Sequence, residues 1–217
     1  MKLIGHCLVV LILLFVVSPI TSALAAQEAS PSSSAAAVIY EADWSGGLAG
    51  WVGTLDRDTA GSMLINDGSN DQPDAWIVAP IDLSDIPDYA IEAEIQVAKT
   101  SGVYGFHLVA RIDGSEGYFG GYWQGNDFDQ NKSLLVTDCT KEWCSWGTGS
   151  NINQQEYVMD NEWHTYRLEV VGASVRLLFD ERLVAEISDT QFLDGGHVGL
   201  QSVQAQILVR NFKIVAL

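Results

Sequence analysis

Alternation of apolar and polar residues with a period of two recurs along the chain from Val38 onward, and this feature constrains the fold most strongly. No stretch of that region sustains the spacing of an amphipathic helix. The alternation predicts strands at Ala90–Ala98, Val103–Ile112, Gly117–Trp123, Thr165–Val171, Val175–Asp180, Leu183–Ile187, Gly196–Ser202 and Ile207–Val215. Because each of these strands must bury one face, the sequence predicts an all-β fold, a two-sheet antiparallel jelly-roll sandwich.

Turn residues separate several of the predicted strands. Residues Asp113–Gly117 join two runs, Gly172–Ser174 join two more, and Asp180–Arg182 predict a tight hairpin. These short connections indicate that neighbouring strands are antiparallel.

Successive side chains of a strand point to opposite faces, so the parity of a residue, its odd or even position along the strand, assigns it to one face. We apply this to the strand Val103–Ile112. The alternate positions that carry apolar residues, and so predict the core face, are Tyr104, Phe106, Leu108 and Ala110. The same parity places His107 and Arg111 together on the opposite face. We therefore expect a polar face at this point of the sheet.

The N-terminal segment has the pattern of a secretory signal peptide over residues 1–25. Lys2 precedes an apolar stretch from Leu8 to Val17, and Ala23 and Ala25 are the small residues that signal peptidase requires. An uncleaved anchor is the alternative, but this cleavage site and Pro19 favour removal. Residues 26–37 have the composition of an Ala/Ser-rich spacer, so the folded domain is expected over 38–217 and the mature chain without a membrane span. We expect a protein secreted or held in the cell envelope.

The charge balance restricts the partners of the chain. It has 28 acidic and 11 basic residues, a formal charge of −17, together with seven Trp, seven Tyr and seven Phe. A nucleic-acid-binding protein would carry a basic face, and a disordered acidic tail would lack these aromatic residues. The composition therefore indicates an acidic, packed globular protein that does not bind nucleic acid.

Export also bears on the cysteines. Once the leader with Cys7 is removed, Cys139 and Cys144 remain, an even number in an oxidising compartment. We expect a disulfide between them that stiffens a short loop containing Trp143 and Trp146. Two thiols at this spacing without a nearby His make a poor zinc site.

Three parts of the sequence resemble the concanavalin A-like lectin/glucanase superfamily, and more closely its laminin G-like and 3-keto-disaccharide hydrolase-type domains. The segments that carry the resemblance are WSGGLAGW (Trp44–Trp51), DYAIEAEIQV (Asp88–Val97), and the C-terminal half with EWHTYRLEVVGASVRLLFDERLVAEI (Glu162–Ile187), GGHVGLQ (Gly195–Gln201) and VRNFKIVAL (Val209–Leu217). The resemblance implies a jelly roll with one concave sheet on which relatives bind or cleave carbohydrate.

The catalytic motifs of those relatives are incomplete in this chain. Glucanases of the superfamily carry an ExDxxE strand, whereas the nearest match here, Glu92-Ala93-Glu94, lacks the third acid because Val97 occupies its place. The 3-keto-disaccharide type carries a polar cluster of which Arg111 remains, whereas aromatic residues and glycines replace the acid and the amide. We therefore predict no catalytic residue. An enzyme of the 3-keto-disaccharide type, acting through Arg111 and His107, and an adhesion module that binds protein are the alternatives.

A carbohydrate site needs aromatic rings interleaved with polar side chains, and the segment Gly117–Asn131 has both. Parity leaves two assignments open: either Tyr118 and Tyr122 face the core, or Phe119 and Trp123 do. The predicted ligand-binding residues are His107, Arg111, Tyr122, Trp123, Gln124, Asp127, Trp143 and Trp146. The expected partner is a glycan or polysaccharide, bound without cleavage.

Calcium is the one cofactor that the sequence suggests. Asp67, Ser69 and Asp71 place oxygen atoms at alternate positions of a loop. The loop lacks the glycine and the closing Glu of an EF-hand, so a surface turn rich in Asn and Asp is the competing interpretation.

Overall fold

A computed structural model of the protein describes residues 37–53, 57–60, 63–66, 76–114, 116–125, 132–140 and 151–217. For residues 57–60, 63–66 and 99–103 the description extends to the backbone alone. All of these residues belong to one compact unit, residues 35–217. The signal peptide and all but the last residue of the spacer lie outside the described residues, so both stay predictions.

The described part of the chain is built from strands, and no helix occurs in it. The strands are β1 (Val38–Glu41), β2 (Val52–Gly53), β3 (Arg57–Ala60), β4 (Met63–Asn66), β5 (Trp76–Val78), β6 (Tyr89–Asp113), β7 (Glu116–Gln124), β8 (Lys132–Cys139), β9 (Ile152–Glu156), β10 (His164–Val171), β11 (Ser174–Phe179), β12 (Arg182–Ser188) and β13 (His197–Ala216). Every pairing between them is antiparallel. The all-β, antiparallel prediction is confirmed.

Two long strands, β6 and β13, pair along nearly their whole length. Each contributes one half to each of the two sheets of the sandwich, which are named sheet A and sheet B. Sheet A contains β12, β11, β10, the first half of β6, the second half of β13, and β1. Sheet B contains β9, β8, β7, the second half of β6, the first half of β13, β5 and β2. The β3–β4 hairpin pairs with β13 through β4.

The sequence predicted each long strand as two separate strands. The pairing of β6 with β13 continues across the predicted gaps, and the register of β13 shifts at Gln204, whose φ is 49°. A bulge of this kind bends a strand and increases its twist without ending it. One strand can therefore serve two sheets.

The core lies between the two sheets and takes the face that parity predicted for β6. Tyr104, Phe106, Leu108 and Ala110 all belong to the main hydrophobic cluster. Across the core, the rings of Phe106 in sheet B and Tyr166 in sheet A meet edge to face with centroids 5.0 Å apart. The inward-facing rows of both sheets are thus packed against each other, as in a sandwich.

The predicted turns fall where the strands end. The hairpin between β11 and β12 has two connecting residues, Asp180 and Glu181, with φ of 47° and 65°. Positive φ at both central positions is typical of the type I′ turn that matches the twist of paired strands. Gly172 begins the β10–β11 turn with φ of 52°, where a residue without Cβ is not strained.

Strands β8 and β9 were absent from the sequence prediction. In β8, the core face carries Leu134 and Val136, while the other face carries Ser133 and the buried Leu135. Apolar residues on both faces hide the alternation that identifies a half-exposed strand. In β9 four of the five side chains are exposed, so the sequence has no apolar row to follow.

We expect Leu168→Ala to lower the free energy of unfolding by about 2–5 kcal/mol, because it removes buried methyl groups between the sheets. Leu168 of β10 is completely buried, and a Cβ added at Gly120 of sheet B would lie 2.5 Å from its Cδ1. Leu183→Ala is the matched control, since Leu183 is 53% exposed. Chemical denaturation measures both, and equal losses for the two variants would contradict this account of the core.

Candidate functional site

The outer face of sheet B, turned away from the core, is the surface where the sequence placed the site. The strand registers bring these positions onto it: Val52, Trp76, Val78, Gly105, His107, Val109, Gly117, Phe119, Gly121, Trp123, Ser133, Leu135, Thr137, Cys139, Ile152, Gln154, Glu156, Gly199, Gln201 and Val203. One row crosses six strands in the order Gln154, Leu135, Gly121, His107, Gln201 and Trp76.

His107 lies near the middle of this row and is 2% exposed. Its Nδ1 is 3.0 Å from Oε1 of Gln201. Because an amide oxygen only accepts, Nδ1 carries the proton in this pair. Burial lowers the pKa of His107 to about 4, against the hydrogen bond to Gln201, which raises it. The imidazole is therefore neutral at pH 7.

Two apolar clusters flank His107 on this face. The first contains Val109, Ile112, Phe119 and Cys139, with Trp76 packed against it. The second contains Trp123, Leu135 and Val203, with Ile152 packed against it. The centre of the face is thus buried, whereas Trp76 on β5, next to the edge strand β2, is partly exposed and Gln154 on the edge strand β9 is exposed.

Arg111 does not lie beside His107, and the parity prediction is wrong at this point. The register between β6 and β7 breaks after Ala110, and Arg111 has φ of 51°, in the left-handed region. This bulge moves the next residue, Ile112, to the side of Val109. Arg111 is turned away from that side, because a bulge reverses the alternation beyond it.

The side chain of Arg111 is completely buried and ties three loops together. Its Nη1 donates to the carbonyl oxygens of Gly172 at 2.8 Å and Phe192 at 2.9 Å, and its Nη2 donates to that of Pro87 at 2.6 Å. The Arg111 backbone N–H donates to the hydroxyl of Tyr89. These bonds indicate that Arg111 holds the loops at one end of the sandwich rather than a ligand.

The two assignments left open for β7 are decided by its partners. Tyr118 and Tyr122 face the core and are completely buried, so the expectation that Tyr122 contacts a ligand is corrected. Gln124 lies at the end of β7, where its Oε1 accepts a hydrogen bond from the Tyr122 hydroxyl at 3.4 Å. Trp123 is on the outer face of sheet B but is 5% exposed, with its ring against Gly105.

The remaining predicted site residues lie outside the described residues and stay predictions. They are Asp127, Trp143 and Trp146 for the ligand, Asp67, Ser69 and Asp71 for calcium, and Cys144 of the disulfide. Its predicted partner Cys139 is buried at the end of β8. Within the described ranges, no group of three or more His, Cys, Asp or Glu side chains is arranged to hold a metal ion.

Glu92 and Glu94, the nearest match to a glucanase motif, lie on the outer face of sheet A. Glu92 pairs with Lys213 at 2.7 Å and with Arg167 at 3.0 Å. Burial raises the pKa of Glu92, but the hydrogen bonds from Lys213 and Arg167 outweigh it and lower the pKa. Arg210 and Asn211 hold Glu94 in the same way, and its pKa is also lowered. A general acid needs a raised pKa, so neither glutamate fits that role.

The site residues predicted from the sequence do not include Gln201, Trp76 or Gln154 of the outer face of sheet B. Gln201 lies two residues after Gly199, so both residues belong to the outer face of β13. The alternation in GGHVGLQ was sufficient to predict this position. Trp76 and Gln154 belong to the short strands β5 and β9, where too few residues alternate to give a pattern. Their place on the face follows only from the strand pairings.

Comparison with known proteins agrees with this architecture. A family model described as the 3-keto-alpha-glucoside-1,2-lyase-like domain matches residues 42–215, and the chain belongs to that family. No curated protein sequence matches the chain. The family and the jelly-roll fold set the chain among carbohydrate-related proteins.

Several solved structures share the fold. The carbohydrate-binding module CBM66 from Bacillus subtilis has a TM-score of 0.62 at 18% identity, covering 78% of this chain and 97% of its own. A glycosyl hydrolase family 16 protein from Mycobacterium smegmatis has a TM-score of 0.56 at 14% identity, covering 82% and 100%. A Crh5 transglycosylase solved with NAG has a TM-score of 0.57 at 14% identity, covering 83% and 85%. At these identities the likeness shows the fold alone.

Among the residues that the structure describes, no helix is long and apolar enough to span a membrane.

We expect Arg111→Met to lower the free energy of unfolding by about 2–4 kcal/mol, because three carbonyl groups lose their charged donor. Arg182→Met is the control, since Arg182 is exposed. Denaturant titration measures both variants. A loss no larger than that of the control would show that the three-loop contact has little structural weight.

Proposed function

We propose that the protein is an exported, non-catalytic carbohydrate-binding domain that holds a glycan against the outer face of sheet B. Sugars present apolar faces for stacking and hydroxyl groups for hydrogen bonds. The face offers the indole of Trp76 on β5 and the amide of Gln154 on β9, with Gln201 and His107 between them. Family membership and the jelly-roll fold support a carbohydrate ligand.

The observation that carries the non-catalytic reading is the scarcity of carboxylates on this face. Of its described side chains, Glu156 is the one that bears a carboxylate, and it belongs to the edge strand β9. Glycoside hydrolysis by the usual route needs two carboxyl groups roughly 5–10 Å apart. His107 is an ineffective general acid at neutral pH, because burial keeps its imidazole neutral.

Exposure indicates where a ligand would make contact. Trp76 and Val78 are partly exposed on one side of the face, and Gln154 and Glu156 are exposed on the other. His107 and Trp123 between them are almost completely buried. In the described part of the face, these exposed and partly exposed residues are therefore the ones proposed to touch a sugar, and the buried residues are proposed to support them.

Turnover of a 3-keto-α-glucoside is the second candidate function, and the family match over residues 42–215 is the observation that favours it. The two residues named for it from the sequence do not cooperate in the described geometry. His107 lies on the outer face of sheet B, whereas the guanidinium of Arg111 is bonded to three backbone carbonyls away from it. An enzyme of this type would need its acid and base from other residues.

We expect Trp76→Ala to weaken glycan binding at least about fivefold, since truncating a stacked aromatic side chain commonly costs more than about 1 kcal/mol. Trp163→Ala is the matched control. Trp163 is also partly exposed, but its ring lies 4.2 Å beneath the guanidinium of Arg210 on the other sheet. Glycan arrays and affinity electrophoresis on several polysaccharides identify the ligand, and calorimetry then compares the variants.

The outcomes separate the candidates. Wild-type protein that binds no glycan in either assay would end the carbohydrate-binding proposal. Equal affinity of Trp76→Ala and wild type would remove Trp76 from the site. Mass spectrometry measures whether the purified protein consumes a 3-keto-α-glucoside. Consumption would replace the non-catalytic proposal with the enzymatic one.

A further inference from the structure

His164, the first residue of β10, is bonded through both ring nitrogens to carboxylates. Its Nδ1 is 2.8 Å from Oδ2 of Asp180, and its Nε2 is 2.8 Å from Oδ1 of Asp160. The side chain of His164 is 15% exposed, whereas the side chains of Asp160 and Asp180 are 52% and 43% exposed, so the ring is largely buried and the two carboxylates face water. Asp160 precedes His164 by four residues, whereas Asp180 lies beyond the next strand.

The number of protons in this group follows from its geometry. An ionised carboxylate only accepts hydrogen bonds, and a neutral imidazole has a single N–H to donate. Both short contacts of His164 are therefore satisfied together only when the ring is the doubly protonated imidazolium. Loss of one proton leaves one ring nitrogen and one carboxylate oxygen facing each other without a hydrogen, which is repulsive.

The contacts join two separate loops. Asp160 lies in the connection of residues 157–163 between β9 and β10, and Asp180 lies in the tight turn between β11 and β12. Asp180 is itself fixed, because its Oδ1 accepts the backbone N–H of Thr165 and its own N–H donates to the Thr165 carbonyl. The connection is thus held to a rigid turn through the His164 ring.

The other groups that face the ring are aromatic or charged. The rings of Phe179 and Tyr157 lie 4.6 Å and 6.4 Å from it between centroids, and the Tyr157 hydroxyl is 3.5 Å from Nε2. Farther charged or titratable neighbours on the packed elements are Tyr166, Glu162, Glu181 and Arg182. Burial lowers the pKa of His164, but the bonds to Asp180 and Asp160 outweigh it and raise the pKa.

We propose that Asp160, His164 and Asp180 form a pH-dependent clasp that closes the connection of residues 157–163 onto the β11–β12 turn. The clasp is closed while His164 is protonated and Asp160 is ionised. Backbone N–H donation from Glu162 and the bond to His164 lower the pKa of Asp160, so the closed range extends into acid. Because the pKa of His164 is raised, stability from the clasp is complete below the pKa of an unfolded histidine and is lost as pH rises through the folded pKa.

Opening of the clasp would loosen the edge of sheet B. The connection continues directly from β9, which carries Gln154 and Glu156, and the Tyr157 N–H donates to the carbonyl of Lys132 at the start of β8. This consequence for ligand binding rests on the proposed function. The clasp itself does not depend on it.

The clasp is tested by hydrogen exchange of the full-length protein, measured at pH values that span the titration of His164. NMR follows that titration. After correction for intrinsic exchange rates, protection of residues 157–163 is expected to fall at least about fivefold as His164 deprotonates. In His164→Gln the protection is low at every pH, while the exchange of β13 is unchanged. His197→Gln is the control, since His197 is exposed and lies on a different strand.

Asp160→Asn gives a second test that does not remove the ring. It should lower the His164 pKa measured by NMR, because one of the two bonded carboxylates is lost. Asp43→Asn is the matched control, since Asp43 accepts the N–H of Ser45 at 3.0 Å as Asp160 accepts that of Glu162 at 3.0 Å. An unchanged His164 pKa in Asp160→Asn, or protection that does not follow the titration in wild type, would overturn the clasp. Loss of glycan binding at every pH would overturn the proposed function and leave the clasp intact.

Discussion

The antiparallel pairing of β6 with β13 supports the rest of the structure. It runs from Tyr89 opposite Ala216 to Ile112 opposite His197 and contributes two adjacent strands to each sheet. Every other strand of sheets A and B is bonded to this pair directly or through one or two intervening strands. Because a slip of one residue would turn every side chain of a strand to the other face, the pairing also fixes which residues face the core and sets His107 opposite Gln201.

Bulges in these long strands convert a regular alternation into a specific arrangement of loops. The break at Arg111 is the clearest case, because it turns a residue that parity assigns to the outer face toward three loop carbonyls. A non-glycine residue with φ of 51° is strained, and strain of this kind persists only where surrounding contacts hold it. The bonds of the guanidinium to Gly172, Phe192 and Pro87 are such contacts.

The negative net charge of the chain does not predict the charge or the pKa values found at individual places in the structure. Glu92 and Glu94 are neutralised by cations of the same sheet, which makes the outer face of sheet A an ion-paired surface. The pKa values of two histidines also depend on where each residue lies. Burial lowers the pKa of His107, whereas two carboxylates raise that of His164. One histidine is therefore uncharged within the outer face of sheet B, and the other makes a charged contact between loops.

The sequence alone determined the all-β class, the core face of β6 and the hairpin at Asp180 and Glu181, because period-two alternation and turn chemistry are local properties. It also led to the family, through segments whose order spans the folded domain. Tertiary structure alone decided that Arg111 leaves the face of His107, that Trp76 and Gln154 join it, and that Asp160 and Asp180 meet at His164. A bulge and contacts between distant strands set these positions, and neither leaves a repeating signal in the order of residues.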